Sequence, residues 1–352
     1  MNTGPQTHRR AVITLALAAM LATGCSAQAA DPPASPTATD APAVEGVTAE
    51  AEFQTDAPTG TFVEADGAVW LFTRKGVTRV DSKTNEATDI PLLDADGNEA
   101  SGDYGPFGAV GFGSLWVSDF PNDEIRRYAM TGGRPTQIIP SPNSTTMLVL
   151  GDDLWVAHHL DGTVTRLDPT SGEVIATVAV GKARKGGPEG LAELDGKVWV
   201  SVENEGYVAG IDPATDAVIG TIDALPPATP CGDIGTMGTR LYSAACPREH
   251  ALAVVDTASM SPVGSLSFDG VVLAPAAIGD GLWLCVARPA SGPWTEGEVT
   301  RLDPETLEVG ATKTVTGGAP VAIFSAGGSV WVAVEEGEAD TAWLLRLPKT
   351  DF

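Results

Sequence analysis

Basic residues are scarce in this sequence. It has 21 Lys and Arg against 46 Asp and Glu over 352 residues, which gives a formal charge of −25. The first 24 residues contain two of the Arg and no acid, so the remainder carries 19 − 46 = −27. A basic patch large enough to displace counterions from nucleic acid cannot be assembled on such a surface. The shortage therefore excludes a nucleic-acid binder, and it argues against docking on anionic lipid through basic side chains.

Helical patterning and the common catalytic signatures are also missing. No segment repeats its apolar residues with a sustained helical period. The sequence contains no nucleophile elbow, no phosphate-binding loop and no CxxC pair. Glycine and proline, by contrast, are abundant at 40 and 26 residues, which predicts frequent turns. With 43% apolar and 19% charged residues, the composition is that of a globular chain rich in short strands and turns.

The N-terminus has the pattern of an export signal. Arg9 and Arg10 precede a 12-residue apolar run, residues 11–22, which is shorter than the about 20 residues needed to span a bilayer. The run ends in LATGC at residues 21–25, and small residues directly before a cysteine resemble a bacterial lipobox. That resemblance implies a lipoprotein signal peptide over 1–24 and acylation of Cys25. A secreted protein cleaved near residues 27–30 is the alternative, and the Arg pair alone is weak evidence for a twin-arginine signal.

The segment after the signal predicts a flexible tether. Residues 25–43 are rich in Ala, Pro, Ser and Thr and have no large apolar side chains before Val44, so they cannot form a core. The expected organisation is a signal peptide over 1–24, a tether over 25–43 and a folded domain over 44–352. We expect the domain to be exported and held on the extracytoplasmic face of the cell membrane.

The folded domain is a repeat. An aromatic marker recurs at intervals of 46, 39, 44, 43, 41 and 48 residues. The markers are Trp70, Trp116, Trp155, Trp199, Tyr242, Trp283 and Trp331. Because the marker lies in unbroken apolar runs such as Leu154–Val156, the period favours a buried core position over a row of ligand-stacking rings. After most markers comes a strand closed by Asp, and the Asp-Pro-x-Thr phrases that follow are typical of locked turns.

Each repeat predicts four short strands. In the third unit they are 147–150, 154–158, 164–167 and 173–180. Four antiparallel strands repeated every 40-odd residues are typical of a β-propeller blade, and 309 residues divided by seven is about 44. The last unit offers only three strands, over 321–325, 329–334 and 343–347. The alternating segment 44–53 is therefore predicted to close the last blade from the N-terminal side. The expected fold is an all-β, seven-bladed propeller of four-stranded antiparallel blades.

The repeated phrase Leu-Trp-Val-Ala, followed by Gly-x-Val-x-Arg-Leu-Asp-Pro-x-Thr, also carries a family resemblance. It is similar to the seven-bladed propellers of the YncE/YVTN-repeat and streptogramin-lyase-like superfamily, over about residues 44–352. In virginiamycin B lyases of that group, histidines in Pro-His-Gly/Ala phrases serve metal-assisted chemistry. The matching phrases here carry Phe107, Glu189, Cys231, Ala276 and Val321 instead. The resemblance thus implies the fold but not that catalytic set.

Loops at one rim of the predicted propeller bring together polar and aromatic side chains suited to a small polar ligand. The candidate binding residues are Tyr104, His158, His159, Glu203, Asn204, Arg248, His250 and Trp294. His158 and His159, with Glu203 on the next blade, could hold a divalent cation, although adjacent strand residues point to opposite faces. Trp294 lies outside the repeat position, so it is a candidate for ligand stacking or partner contact, or else a cover over the blade edge.

The cysteines predict one disulfide. Cys231 opens the inner strand of the fifth unit and Cys246 ends the next strand, with a turn midway at Gly238-Thr239. Cross-strand neighbours of this kind lie close enough to bridge, and export permits a bridge to persist. Cys285 follows a marker Trp at a small buried position and is predicted to remain a thiol.

These features predict a lipid-anchored extracytoplasmic protein that binds a small molecule, a glycan or a protein partner on its loop rim. The chain is expected to be a monomer, to need no cofactor and to have no nucleic-acid partner. The alternative is a streptogramin-lyase-like lyase or hydrolase that uses rim acids, with or without a divalent metal. A quinone-dependent dehydrogenase is weaker, since the tryptophans are already explained by the repeat. Convergence of His or acid side chains on one pocket would favour an enzyme.

Overall fold

The computed structural model describes residues 41–56, 58–73, 75–100, 107–183, 187–289, 293–337 and 341–352. All seven sheets that these residues form are antiparallel. Two N-terminal strands, β1 (Ala43–Val44) and β2 (Ala51–Asp56), precede the first complete blade. Three short 3₁₀ turns are the described helical elements, namely Phe120–Asn122, Glu203–Glu205 and Lys349–Asp351. No helix in these ranges is long or apolar enough to cross a membrane.

The first six blades are each built from four consecutive strands in up-and-down order. The strands of blades 1 to 3 are β3 (Pro58–Ala65), β4 (Ala68–Thr73), β5 (Gly76–Asp81), β6 (Ala87–Pro91); β7 (Gly108–Gly111), β8 (Ser114–Asp119), β9 (Glu124–Ala129), β10 (Gln137–Pro140); and β11 (Ser144–Leu150), β12 (Asp153–His158), β13 (Thr163–Leu167), β14 (Val174–Ala179). Those of blades 4 to 6 are β15 (Pro188–Leu194), β16 (Lys197–Val202), β17 (Tyr207–Asp212), β18 (Ala217–Asp223); β19 (Pro230–Met237), β20 (Arg240–Ala245), β21 (Ala251–Asp256), β22 (Ser261–Ser267); and β23 (Val271–Ile278), β24 (Gly281–Arg288), β25 (Glu296–Leu302), β26 (Val309–Thr316).

Blade 7 combines strands from the two ends of the domain. It contains β27 (Ala319–Ala326), β28 (Ser329–Glu335) and β29 (Thr341–Pro348), and β2 is its fourth, outermost strand. The first strand of each blade contacts the first strand of the next, and β27 contacts β3, so the seven blades close into a ring. The predicted all-β, seven-bladed propeller is confirmed.

The closing strand lies later in the chain than the alternation over 44–53 predicts. β2 pairs with β29 from Ala51 opposite Arg346 to Asp56 opposite Thr341, and the Phe53 ring stacks on Trp331 at 6.1 Å. The segment before it turns at Gly46, whose φ of 73° suits glycine. Upstream of that turn, β1 pairs with β26 and becomes a fifth strand of blade 6. The N-terminal segment therefore joins two blades.

The marker aromatics form the core between blades, as predicted. All seven have at most 2% of their surface exposed. Trp155 of blade 3, for example, packs in one cluster with Val198 and Val200 of blade 4. Each of these large rings buries a large apolar area, and together with the valines, leucines and isoleucines around them they form the core in the absence of helices.

The aspartates at the ends of third strands lock turns, as predicted. The Asp168 carboxylate accepts backbone N–H groups of Thr170 at 2.7 Å and Ser171 at 3.2 Å. The corresponding carboxylates make the same kind of bond in four other blades, at Asp81, Asp212, Asp256 and Asp303. These carboxylates are therefore structural.

An arginine in the same phrase links consecutive blades, a role that the sequence does not reveal. Arg166 lies opposite Trp155 in the register and its guanidinium stands 5.9 Å from the Trp ring centre. Its Nη1 donates to the Pro213 carbonyl of blade 4 at 3.0 Å and to Asp216. The same bridge to the next blade's turn recurs at Arg127, Arg240 and Arg346. We call this contact the arginine bridge.

The cysteine prediction is confirmed. Cys231 and Cys246 form a disulfide with their Cα atoms 4.9 Å apart, and Cys285 is a buried free thiol. Burial raises the pKa of the Cys285 thiol well above its usual value, and the nearby Asp233 acts in the same direction. Cys285 is therefore an inert core residue.

Candidate functional site

Strand pairing is irregular at the start of the inner strands, where residues of blades 4 and 5 leave the regular register at one end of the ring. In blade 4 the register between β15 and β16 shifts between Pro188 and Leu191, so Glu189 and Gly190 lie in a bulge. In blade 5 the equivalent shift falls between Pro230 and Ile234. A bulge leaves residues unpaired and redirects their side chains, which is why bulges are common beside functional sites.

Close backbone approach brings the β12–β13 loop of blade 3 against this bulge. His159 follows β12 directly and its N–H donates to the Asn143 carbonyl. A Cβ at Gly187 would lie 2.2 Å from the His159 carbonyl oxygen, so only glycine permits this approach. The Gly187 carbonyl in turn accepts the N–H of Glu203 at 3.1 Å, which fixes the 3₁₀ turn that carries Glu203.

Three side chains converge as a result. His159 Nδ1 lies 2.8 Å from Glu189 Oε1, and its Nε2 lies 3.8 Å from Glu203 Oε2. The side chains are 19%, 25% and 30% exposed, so all three are partly buried yet open to solvent. We call His159, Glu189 and Glu203 the mouth cluster. It joins blade 3 to blade 4 and places two carboxylates around one imidazole.

Charge dominates the chemistry of the mouth cluster. The Glu189 carboxylate raises the pKa of His159 above its usual value; partial burial opposes this, and Glu203 adds to it. The Nδ1 atom is inaccessible to solvent, and despite the short distance to Glu189 it has no aligned hydrogen-bond partner. The imidazole is therefore held between two anions by proximity rather than by two well-directed hydrogen bonds.

Blade 5 supports the cluster from the other side. The Cys246 sulfur, which carries no proton in the disulfide, contacts Glu203 Oε1 at 3.7 Å. The Ser201 hydroxyl accepts the N–H of Gly190 at 2.9 Å and donates to the Gly232 carbonyl at 3.2 Å. Ser201 thus links the bulges of blades 4 and 5 by hydrogen bonds. The disulfide fixes the position of the sulfur atom that Glu203 contacts.

A further acid, Asp233, lies in the blade 5 bulge and lines a central cavity of about 480 Å³. Its side chain is open to the cavity, but protein atoms surround the carboxyl, and this burial raises the pKa of Asp233. The Ala274 N–H opposes the rise and the charge of Glu189 adds to it. The remaining cavity wall comes mainly from the inner strands of blades 1 to 3 and is mostly apolar, with Phe62, Phe107 and Met147 among its residues.

The structure brings together only part of the predicted set. His158 is 5% exposed and points into blade 3, where its ring nitrogens lie 2.7 Å from the Pro142 carbonyl and 2.8 Å from the Thr165 hydroxyl. Burial lowers its pKa, which keeps the ring neutral. His158 is therefore held inside blade 3 rather than beside His159, and a binding role for it stays a prediction.

The other predicted residues lie elsewhere on the loops. Asn204 lies in the same 3₁₀ turn as Glu203, and Arg248 and His250 lie in the β20–β21 loop. Trp294 is partly exposed between β24 and β25, where its carbonyl lies near Gly337 of blade 7. Tyr104 and Cys25 fall outside the described residues.

Sequence reasoning missed Glu189 and Asp233. A usable signal exists for Glu189, because it occupies the variable position of a Pro-x-Gly phrase at the start of an inner strand. Asp233 has a weaker signal, directly after the corresponding Pro-Cys-Gly phrase. The sequence does not place Glu189 beside His159, because that requires knowing how the bulge turns its side chain.

Comparison with known proteins supports the architecture. No protein-family model and no curated protein sequence matches this chain. Among solved structures, it resembles BamB from Moraxella catarrhalis with a TM-score of 0.57 and 15% identity, over 82% of this chain and 83% of that one. It also resembles a chain of the mitotic checkpoint complex with a TM-score of 0.65 and 10% identity, over 86% and 95%. At these identities the likeness shows the propeller fold alone.

Proposed function

We propose that this protein is an exported, lipid-anchored β-propeller that binds a positively charged ligand at the mouth cluster. The observation that carries the proposal is the convergence of Glu189 and Glu203 on His159. Two carboxylates around one imidazole leave an excess of negative charge, so a cation of the ligand would be attracted more strongly than an anion.

Several of the few basic residues are engaged in contacts with other groups than the mouth cluster. Arg127, Arg166, Arg240 and Arg346 are engaged in arginine bridges between blades. Lys182, close in sequence to the mouth cluster, pairs with Glu205 at 3.0 Å. With 19 basic and 46 acidic residues after position 24, the surface field steers cations toward the domain.

The anchor is part of the proposal. The lipobox-like LATGC at residues 21–25 and the tether that follows support acylation of Cys25, and the disulfide is consistent with an oxidising compartment. The repeat phrase supports a place among YVTN-type propellers in lipoprotein form. A Cys25→Ser variant should move from the membrane fraction to the medium, and a wild-type protein without lipid by mass spectrometry would refute the anchor.

Binding is tested with three peptides of equal length, one basic, one neutral and one acidic, by isothermal titration of the purified protein. The basic peptide should bind and the other two should not. A Glu189→Gln/Glu203→Gln double variant should lose most of the affinity, whereas Glu205→Gln, in the same turn as Glu203, should keep it. Equal binding of the acidic peptide, or no loss in the double variant, would reject the proposal.

A second candidate is the lyase or hydrolase. The observation in its favour is an imidazole within 2.8 Å of one carboxylate and 3.8 Å of another, an arrangement suited to general acid–base catalysis. Turnover of a cationic ligand by wild type, abolished in His159→Gln with binding retained, would support the enzyme. Binding without turnover supports the binding protein.

A further inference from the structure

We infer that the cation held by the mouth cluster is a divalent first-row transition-metal ion, bound by one ring nitrogen of His159 and one carboxylate oxygen each of Glu189 and Glu203. The inference rests on the proposed function and narrows its ligand to an inorganic ion. It replaces the predicted pairing of both histidines with Glu203, since His158 is buried in blade 3.

The distances suit a metal. One potential ligand atom from each residue lies within 4.8 Å of the other two. Zinc–nitrogen and zinc–oxygen bonds are about 2.0–2.2 Å long, so two ligands of one ion lie at most about 4.4 Å apart. Small side-chain rotations of the two glutamates cover the difference. Three protein ligands would leave at least one coordination position open to water or to a ligand.

The donor set selects the kind of metal. Imidazole favours zinc, copper, iron and nickel, whereas magnesium and calcium prefer oxygen ligands alone. Two carboxylates and a neutral imidazole carry a charge of −2, which matches a divalent ion. The carboxylate oxygens of Glu189 and Glu203 lie 2.8 Å and 3.8 Å from the two ring nitrogens of His159, so all three side chains already stand around one small space.

The surroundings hold the ligands without competing for the ion. The Gly187 carbonyl fixes the turn of Glu203, and the disulfide contacts its carboxylate. Of the residues that the structure describes, one other group could hold a metal, namely Glu203 with Cys231 and Cys246. Those sulfurs are bonded to one another in the disulfide, so they offer no thiolate that could compete with the His159 set for the ion.

The test uses the full purified protein, stripped with EDTA and kept free of reductant. Isothermal titration with ZnCl₂, CoCl₂ and MgCl₂ should show one Zn²⁺ or Co²⁺ per chain and binding of Mg²⁺ at least 100-fold weaker. His159→Gln, Glu189→Gln and Glu203→Gln should each weaken Zn²⁺ binding at least about tenfold. The matched controls Glu205→Gln and His250→Gln should bind as wild type.

A readout on the wild type keeps the test independent of any variant that fails to fold. X-ray absorption of the Co²⁺ form should show one imidazole with oxygen neighbours and no sulfur. A sulfur shell, non-stoichiometric binding, or wild-type affinity in all three variants would overturn the inference. If Zn²⁺ does not bind but the basic peptide does, the inference fails and the proposed function stands. If Zn²⁺ binds and the basic peptide does not, the inference stands and the cationic ligand of the proposed function is the metal ion itself. If neither binds, both fail.

Discussion

At the scale of single residues, the arginine bridge explains how blades with few charged residues are held together. Arg166 combines a cation–π contact with Trp155 and a hydrogen bond to a carbonyl of the next blade. Contacts of these two kinds contribute about 0.5–1 kcal/mol and about 1 kcal/mol. We therefore expect Arg166→Ala to lower the free energy of unfolding by about 1–2 kcal/mol in urea titrations.

The planar fork of the guanidinium is what permits both contacts, so Arg166→Lys should recover less than half of that loss. Arg134→Ala provides the matched control, because Arg134 bonds exposed loop carbonyls at Ala95 and Asp96 rather than a blade-to-blade turn. It should change stability by less than about 0.5 kcal/mol. Equal losses at Arg134 and Arg166 would show that the bridge has no special role.

The turn aspartates also make stability depend on pH. Backbone N–H donors lower the pKa of Asp81 to about 2, and hydrogen bonds led by the Thr239 hydroxyl lower that of Asp256 to about 2. A lowered folded-state pKa stabilises the fold above the unfolded value near 3.8, and this contribution is lost as pH falls toward 2. Thermal melts of wild type should therefore fall steeply between pH 4 and pH 2.

Asp256→Asn isolates the charge, because the amide oxygen can still accept the N–H of Ser259. It should be less stable than wild type at pH 5, and the gap should close by pH 2. A gap that stays constant over this range would mean that the carboxylate charge does not contribute.

At the scale of elements, the period of the aromatic markers was sufficient to predict blade number, because each of the seven blades buries one marker ring at the same strand position. The third-unit strands, predicted over 147–150, 154–158, 164–167 and 173–180, agree with the structure to within three residues at every end. The closing strand was predicted too early in the chain, because the alternation over 44–53 does not reveal the turn at Gly46. The spacing of apolar residues predicts which face of a strand is buried and about how long the strand is. Where the strand begins depends on turns with positive φ, such as the one at Gly46.

The same limit applies to the candidate site. Neighbouring blades place the loops of His159 and Glu203 side by side, so their proximity follows from the repeat. Glu189 joins them only because a bulge at Pro188 turns its side chain toward His159. His158 does not join them for the converse reason: it ends a regular strand, and its side chain faces Thr165 inside the blade.

Strand β2 should stabilise the whole ring rather than its own edge, because it pairs the start of the domain with blade 7. Phe53→Ala removes the stack on Trp331, and since Phe53 is only partly buried we expect a loss of about 2–3 kcal/mol, less than for a fully buried ring. Glu52→Ala, on the exposed face of the same strand, is the control. Hydrogen exchange should show reduced protection in blades 1 and 7 together; a change confined to β2 would argue against a closing role.

At the scale of the whole molecule, two charge effects of opposite sign compete. Salt weakens ion pairs such as Lys75–Asp56, but exposed pairs contribute at most about 1 kcal/mol each. It also screens the repulsion among 46 acidic residues, which only 21 basic residues offset. Because the excess acids cannot be paired, repulsion should dominate, and screening over the Debye length of about 10 Å at 0.1 M should stabilise the fold.

Raising KCl from 20 to 300 mM at pH 7 should therefore raise the melting temperature. Repeating the melts near the isoelectric point of about 4.3, where net charge vanishes, should abolish the rise. A melting temperature that falls with salt at pH 7 would show instead that the ion pairs outweigh the repulsion.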